Sequence, residues 1–171
     1  MFRSINHLDD IGSLKFQYPI ILSEKNIRHH LLTFFHQNIV SPRSPKPVFT
    51  NASVAKIAPL FKTVLTKVRP GKYLHFEYQG SRGVTEGQVF VASNKIHWRL
   101  LRINGIAYSN DPLRLKKPTW KLVRMPGLAY QTLKTGGFKK SVKNRIISKI
   151  NLPFPEYRKK YRLMKKLLRK K

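Results

Sequence analysis

The sequence contains no cysteine. This absence excludes disulfide bonds, thiolate catalysis, zinc fingers and iron–sulfur clusters together. Acidic residues are also scarce, with 7 Asp and Glu in 171 residues, so few carboxylates are present to ligate a metal ion or to act as general acid and base. We therefore expect a protein that is not an enzyme, with no catalytic residues, no metal site and no cofactor, and the sequence identifies no small-molecule substrate.

Long apolar segments are missing as well. No segment approaches the roughly 20 consecutive apolar residues of a membrane span. The first 22 residues include Asp9 and Asp10 and have no apolar run of signal-peptide length. We expect a soluble protein of the cytoplasm or of an organellar matrix, with neither a signal peptide nor a transmembrane segment.

The apolar residues that are present suffice for one folded core. Hydrophobic residues make up 41% of the chain and aromatic residues 11%, whereas disordered chains are poor in aromatic and β-branched residues. A chain of 171 residues can form one core with extensions and is too short for two well-developed domains. We expect a single core.

Positive charge is the most informative feature of the composition. The 35 Lys and Arg give a formal net charge of +28 and a pI of about 10.9. Self-repulsion at this charge destabilises a compact state. Binding to phosphates relieves it, because each neutralised phosphate releases condensed counterions. We expect a nucleic-acid partner and favour RNA; the alternative is a solvated basic surface that reflects a Lys-rich proteome.

Two helices separated by a proline-rich segment are predicted in the first half. Ser23 is a suitable N-cap, and the apolar residues from Ile27 to Ile39 follow helical spacing. Residues 41–51 contain three prolines and are predicted to form a linker or an extended arm. A second helix is predicted over residues 51–69, where Pro59 indicates a kink or a late start.

From residue 72 onward the apolar period changes from about 3.6 to 2. Residues 72–80, 87–93 and 95–103 alternate as strands do, with a tight turn at Ser93 and Asn94 and a long hairpin connection over 80–87. Residues 14–22, 106–108 and 119–125 are predicted to form shorter strands. The predicted fold class is α+β, an antiparallel β-meander packed against one or two helices, with a basic helical C-terminal extension.

The pattern divides the chain into four parts. These are an N-terminal arm and helix (1–40), the Pro-rich linker (41–51), an α+β core (52–136) and a basic helical C-terminal tail (137–171). Residues 139–171 carry nearly half of the net charge of +28. Val142, Ile146, Ile147 and Ile150 predict one short amphipathic helix in the tail, and the apolar residues of 157–168 predict a second.

We expect the tail to lie along a phosphate backbone, where its cations neutralise phosphates and Tyr157 and Tyr161 stack on bases or sugars. The alternatives are a solvated or self-packed terminal helix and a basic amphipathic helix on an anionic membrane. The residues expected to bind nucleic acid are Lys139, Lys140, Lys143, Arg145, Arg158, Lys159, Lys160, Arg162, Lys165, Lys166 and Arg169.

The aromatic residues of the strands are predicted to lie mostly in the core. Phe76, Phe90 and Trp98 are expected to share the face of the sheet that packs on the helices. The alternative is an aromatic surface that stacks on single-stranded RNA. His29 and His36 share a face of the predicted helix, but a metal site would need further ligands.

One enzymatic alternative can be assembled from the strands. His75 and Glu77 share a strand face, and with His97 or Arg99 opposite they could supply the acid and base of a small ribonuclease. An exposed polar strand face accounts for the same alternation. The alternative therefore depends on whether these side chains meet.

A resemblance adds a third possibility. A helix, then F-x-Y-Q at 76–79 and a glycine-bearing hairpin that ends in Lys-Ile-His-Trp-Arg at 95–99, resembles the periplasmic lipoprotein-carrier fold over about residues 51–108. The resemblance implies a helix against a curved antiparallel sheet with a lipid-chain pocket between them. Our interpretation remains a non-catalytic RNA-binding protein of the ribosome or another ribonucleoprotein, in contact with ribosomal proteins. The alternatives are a lipid-binding envelope or membrane-surface protein and a small basic ribonuclease.

Overall fold

The computed structural model describes residues 1–8, 14–40, 44–108, 118–135 and 138–153. Within these ranges the chain forms two α-helices, α1 (Glu24–Thr33) and α2 (Asn51–Leu65), and ten strands. The strands are β1 (Phe2–Ser4), β2 (Phe35–Asn38), β3 (Lys46–Pro47), β4 (Lys72–Gly80), β5 (Gly83–Ala92), β6 (Lys95–Ile103), β7 (Ile106–Ala107), β8 (Trp120–Leu122), β9 (Leu128–Thr135) and β10 (Phe138–Lys149).

Seven of these strands form one antiparallel sheet in the order β1-β4-β5-β6-β10-β9, with β7 paired to β6. A small second sheet has the order β3-β2-β8. Strands β4, β5 and β6 are the predicted meander, and the predicted α+β antiparallel class is confirmed. Strand β10 departs from a simple meander, because it lies between β6 and β9.

The tight turn predicted at Ser93 and Asn94 is confirmed, and the turn before β5 is tighter than predicted. Ser93 and Asn94 both have positive φ, 50° and 57°, which is the backbone of a two-residue hairpin turn. The long connection predicted over residues 80–87 is wrong, because Gly80 pairs directly with Gly83 and β5 continues from there. The strand predicted over residues 14–22 is reduced to an isolated bridge between Phe16 and Ala92.

Both helices begin at a side-chain cap. The Asn26 amide donates to Ser23 Oγ at 3.1 Å, and the Ser53 amide donates to Thr50 Oγ1 at 3.0 Å. Helix α1 ends at Thr33 instead of continuing to residue 39, because the next residues pair with β8 as β2. Helix α2 starts at Asn51 despite Pro59 and ends at Leu65, so the predicted late start is wrong. Neither helix in the described part is long and apolar enough to cross a membrane.

The core lies between the two helices and one face of the main sheet. Its centre is Trp98, whose ring is 5.8 Å from that of Phe61, 5.3 Å from Phe34 and 6.3 Å from Phe76 between centroids. Phe61 and Phe76 also meet edge to face at 5.0 Å. These rings are all buried, so the helices are joined to the sheet by aromatic packing.

The described part of the proline-rich segment belongs to this core. Residues 41–43 lie outside the described ranges, but Lys46 and Pro47 pair with β2. Val48 and Phe49 are buried in the same cluster as the helices and the sheet. The described part of the segment predicted as a linker therefore packs against the molecule, and Pro47 lies in a short edge strand, where a missing amide is tolerated.

The short helix predicted from Val142 to Ile150 is wrong, because residues Phe138–Lys149 are strand β10. This strand pairs with β6 on one side and β9 on the other. Ile146 is 1% exposed and lies opposite both Trp98 and Tyr130. The predicted tail thus starts with a strand of the main sheet, and the second predicted helix, in residues 157–168, lies outside the described residues.

Two histidines attach α1 to the end of this strand. His29 Nδ1 lies 2.9 Å from the Leu152 carbonyl oxygen, and His30 Nε2 lies 2.9 Å from that of Ile150. The other ring nitrogen of His30 is 3.1 Å from Ser148 Oγ. His36 lies on β2, so it does not share a helical face with His29. The rings of His29 and His30 therefore serve as structural hydrogen-bonding groups.

We expect acid to destabilise the protein through His30. Burial lowers the pKa of His30 from 6.5 to about 4, and the neighbouring His29 lowers it too, against the hydrogen bond to Ile150. Because the folded pKa lies below the unfolded one, the stability from the neutral ring is complete above about pH 6.5 and is lost as the pH falls through about 4. Each tenfold change in proton affinity is worth about 1.4 kcal/mol, so the loss is on the order of 3 kcal/mol.

Urea titrations at a series of pH values check this expectation. The variant His30→Gln should flatten the dependence of the free energy of unfolding on pH in this window. His97, whose pKa burial also lowers to about 4, contributes to the same slope, so the double variant His30→Gln/His97→Gln should be flatter than either single variant. An unchanged slope in all three variants would contradict the assignment.

Candidate functional site

The main sheet has a second face, which points away from the helices and is called the outer face here. A row of polar residues crosses it. His75 on β4 pairs with Gln88 on β5, Gln88 pairs with Arg99 on β6, and Arg99 pairs with Arg145 on β10. Paired residues of neighbouring strands point to the same face of a sheet, so the four side chains line up across four strands.

An apolar row beside it is covered by the N-terminal segment. Tyr73 and Phe90 are buried with Leu8, and Phe16 packs against this group. Phe90 therefore lies on the outer face, and its predicted place beside Phe76 and Trp98 is wrong. The reason is register: Leu74 pairs with Val89, and Val89 pairs with Trp98, which leaves Phe90 on the opposite face.

On the other side of the polar row, two carboxylates meet His75. Its Nε2 atom lies 3.5 Å from Glu77 Oε1 and 3.3 Å from Glu86 Oε1. Glu77 and Glu86 are a directly opposed cross-strand pair. Arg102 Nε is 3.6 Å from Glu86 Oε2. We call His75, Glu77 and Glu86 the His-Glu cluster. It places the imidazole of His75 beside two of the 7 acidic residues in the chain.

Burial and nearby arginines set the electrostatics of this region. Burial lowers the pKa of His75, Arg3 lowers it further, and Glu86 and Glu77 act in the opposite direction. Burial also raises the pKa of Tyr73, against the charges of Arg3 and Arg99. The Gln88 side-chain amide donates to the Tyr73 hydroxyl at 3.2 Å.

Several buried polar atoms of the outer face have no hydrogen-bond partner among the described residues. They include both ring nitrogens of His75, Gln88 Oε1 and Arg99 Nε. His75 is 2% exposed and Gln88 is 5% exposed. Buried polar groups in native proteins are nearly always paired, and an unpaired one costs about 1–3 kcal/mol. Ordered water or a bound ion commonly pairs with such atoms.

The sequence identified part of this arrangement. It placed His75 and Glu77 on one strand face, and in the structure their side chains meet. Arg99 lies on the same face of the sheet, two strands away from His75. His97 lies instead in the apolar row, where its ring stacks on Phe90 at 4.7 Å. Glu86 was missed. A two-residue turn after Gly80 would have placed it opposite Glu77, but the predicted long connection hid that pairing.

A second site lies on the other side of β4. The end of α2 and the chain after it border a groove of about 780 Å³, lined among others by Lys67, Arg69 and Lys72 together with Phe2 and Tyr18. We call these five residues the cationic groove. The three cations are exposed, and Phe2 is 40% exposed. The volume falls within the range of about 300–1,000 Å³ that is usual for ligand sites.

The aromatic wall of the cationic groove is held in place. The Tyr18 hydroxyl donates to the Lys72 carbonyl oxygen at 2.7 Å, and its ring lies nearly parallel to that of Phe16 at 6.3 Å. The three cations have no carboxylate partner among the described residues, where Glu24 and Glu86 pair with other arginines. Positive charge in the groove is therefore not neutralised within the described part of the chain.

The predicted nucleic-acid-binding residues of the tail fall into three groups. Lys143 is half-buried, with Nζ 4.1 Å above the Tyr130 ring, and Arg145 is 5% exposed, which leaves its side chain little access to a phosphate. Lys139 and Lys140 belong to strand β10, but their side chains lie outside the described part. The others lie outside the described residues: Arg158, Lys159, Lys160, Arg162, Lys165, Lys166 and Arg169. Their role stays a prediction.

Comparison with known proteins adds no identification. No protein-family model matches the chain, and neither a curated protein nor a solved structure matches it. The fold and the two sites define the molecule by class, as a strongly basic α+β protein with an antiparallel sheet, a cationic groove and a polar outer face. Its function must be inferred from these sites.

Proposed function

We propose that this protein is a non-catalytic nucleic-acid-binding protein that binds single-stranded RNA in the cationic groove. The observation that supports the proposal best is the combination of Lys67, Arg69 and Lys72 with the aromatic side chains of Phe2 and Tyr18 in one groove. Proteins that bind single strands combine cations for the phosphates with aromatic rings on which bases stack. The net charge of +28 favours the same class of partner.

The basic residues of 158–169 supply further cations for phosphates in the proposal. Counterion release adds with each phosphate that is neutralised, so residues 158–169 and the groove raise affinity without requiring base-specific contacts. The proposal includes association with a ribosome or another ribonucleoprotein, because the RNA phosphates of such an assembly would continuously balance the net charge of +28.

The affinity for RNA should fall steeply with salt and should depend on the groove. On a single strand, a protein that makes 6–10 phosphate contacts loses about 300-fold to 10⁴-fold in affinity between 50 and 200 mM salt. The triple variant K67Q/R69Q/K72Q should weaken binding to a labelled single-stranded RNA and reduce the magnitude of the log–log salt slope by roughly 2, since each lost contact on a single strand removes about 0.7. Fluorescence anisotropy at several salt concentrations measures both quantities.

A matched variant separates the groove from the overall charge. K25Q/K46Q/K56Q removes the same number of exposed cations elsewhere on the surface and should keep the slope nearly unchanged. R158Q/K159Q/K160Q tests the basic residues near the C-terminus by the same measurement. Equal losses of RNA affinity in the groove and control variants would mean that binding depends on the overall charge and not on the groove. An affinity that does not change with salt would overturn the proposal.

The ribonuclease alternative retains one supporting observation, because His75, Glu77 and Arg99 share the outer face. It predicts that the bound RNA is cleaved and that Glu77→Gln, which alters an exposed side chain, abolishes cleavage. The lipid-carrier alternative predicts retention by anionic vesicles. Phe34, Phe61, Phe76 and Trp98 occupy the interface between helices and sheet, where that alternative requires space for a lipid chain. Intact RNA after incubation, together with displacement of vesicles by RNA, would support the non-catalytic proposal.

A further inference from the structure

We propose that His75, Glu77 and Glu86 on the outer face bind a divalent first-row transition-metal ion such as Zn²⁺. The ligand atoms of these three residues all lie within 4.8 Å of one another. The site is separate from the cationic groove, and it goes beyond the nucleic-acid-binding function.

The first argument is the position of the two carboxylates. Like charges directly opposite each other on neighbouring strands destabilise a sheet. Glu77 and Glu86 nevertheless form such a pair, although a chain with 35 cationic side chains offers many ways to avoid it. Arg102 approaches only Glu86, at 3.6 Å. A cation between the two carboxylates would convert their repulsion into two favourable contacts.

The second argument is the state of His75. The residue is 2% exposed, and neither ring nitrogen has a hydrogen-bond partner among the described residues. Its Nε2 atom points to both glutamates, yet at 3.3 and 3.5 Å it is farther from them than in a usual N–H···O hydrogen bond of about 2.7–3.2 Å. These contacts are long and weak, so a metal ion bound between the imidazole nitrogen and the two carboxylates could replace them at little cost.

The distances agree with coordination geometry. Zinc binds histidine nitrogen and carboxylate oxygen at about 2.0–2.2 Å. In a tetrahedral site with such bonds, two ligand atoms are about 3.4 Å apart. The separations of 3.3 and 3.5 Å between His75 Nε2 and the two Oε1 atoms match that spacing. The third separation, between the two carboxylate oxygens, lies within 4.8 Å, and rotation of the Glu77 side chain, which is 63% exposed, can adjust it.

The surroundings select the kind of ion. Mg²⁺ and Ca²⁺ are held by six or more oxygen ligands, whereas this cluster offers an imidazole nitrogen and two carboxylates. Imidazole suits Zn²⁺ and its neighbours in the first transition row. The nearby charges of Arg102 and Arg3 lower the affinity for any divalent ion. Three protein ligands leave a fourth position for water or for an anionic oxygen, and the Glu77 side chain is 63% exposed, so that position is open to solvent.

The full-length, untagged chain tests the proposal with Zn²⁺ and Co²⁺ alone. Calorimetry should show one Zn²⁺ bound per chain, and the visible absorption of Co²⁺ should report tetrahedral coordination. Because His75 is buried, its replacement endangers the fold, so the decisive variants are Glu77→Gln and Glu86→Gln. Each should weaken Zn²⁺ binding by at least about tenfold, as loss of even indirect metal contacts does, with far-ultraviolet circular dichroism unchanged.

Glu24→Gln is the matched control, because Glu24 pairs with Arg28 on α1 away from the cluster. It should bind Zn²⁺ as the unaltered protein does. Excess Mg²⁺ should not displace the ion. Absence of one-to-one binding, or the same affinity in the Glu77→Gln, Glu86→Gln and Glu24→Gln variants, would overturn the proposal. No RNA is present in these measurements, so their result does not depend on the function of the groove.

Discussion

Trp98→Ala is expected to lower the free energy of unfolding by about 3–5 kcal/mol, the usual cost of removing a buried tryptophan. Trp98 is 1% exposed and contacts the rings of Phe61 on α2, Phe76 on β4 and Phe34, the C-cap residue of α1. Its removal leaves a cavity where the two helices join the sheet. Since domains are stable by only about 5–15 kcal/mol, the variant should be close to unfolding at physiological temperature.

Urea denaturation followed by circular dichroism measures this loss. The midpoint should shift strongly while the slope with denaturant stays the same. Phe2→Ala, which truncates an aromatic ring that is 40% exposed, is the control and should change stability by less than about 1 kcal/mol. Trp98→Phe should fall between them because it retains part of the ring packing. A small loss in Trp98→Ala would mean that the helices are held by other contacts.

The parts of the fold with a regular apolar period were predictable from sequence. Strands β4 and β6 have the predicted bounds, because strict alternation and the turn at Ser93 and Asn94 define both register and ends. Helix α2 follows its i, i+3, i+4 pattern, although Pro59 made its start uncertain. In these segments local pattern and tertiary structure agree.

Strand β10 could not be predicted because its alternation is broken. The register shifts between Val142 and Ile146, and an irregularity of this kind moves apolar residues to spacings that also fit a helix. Polar residues inside the sheet added to the error. Asn144 is buried, and its side-chain amide donates to the Leu100 carbonyl oxygen at 2.8 Å. No local sequence pattern reveals this long-range contact.

The polar outer face and the cationic groove also differ in how far local sequence predicts them. The outer face was partly predictable, since His75 and Glu77 are two residues apart on one strand, and only the turn length was needed to add Glu86. The cationic groove was not, because Phe2, Tyr18 and Lys67 are far apart in the chain. Charge composition indicated a polyanionic partner but carried no information on where exposed cations meet aromatic rings.

The paired variants Ile146→Asp and Ile147→Asp separate strand from helix in the segment where the prediction failed. Ile146 is 1% exposed against Trp98, so Ile146→Asp would bury an unpaired charge, and we expect a loss of about 4 kcal/mol or more. Ile147 lies opposite His97 on the outer face and is only half-buried. Ile147→Asp should therefore cost about 1–2 kcal/mol.

In the amphipathic helix predicted from the sequence, both isoleucines lie on one apolar face, so the two variants would lose similar amounts of stability. Thermal and urea unfolding of both proteins therefore distinguish the structures, and equal losses would contradict strand β10. If Ile146→Asp unfolds the protein while Ile147→Asp does not, residues 141–149 form a strand whose inner face the core requires.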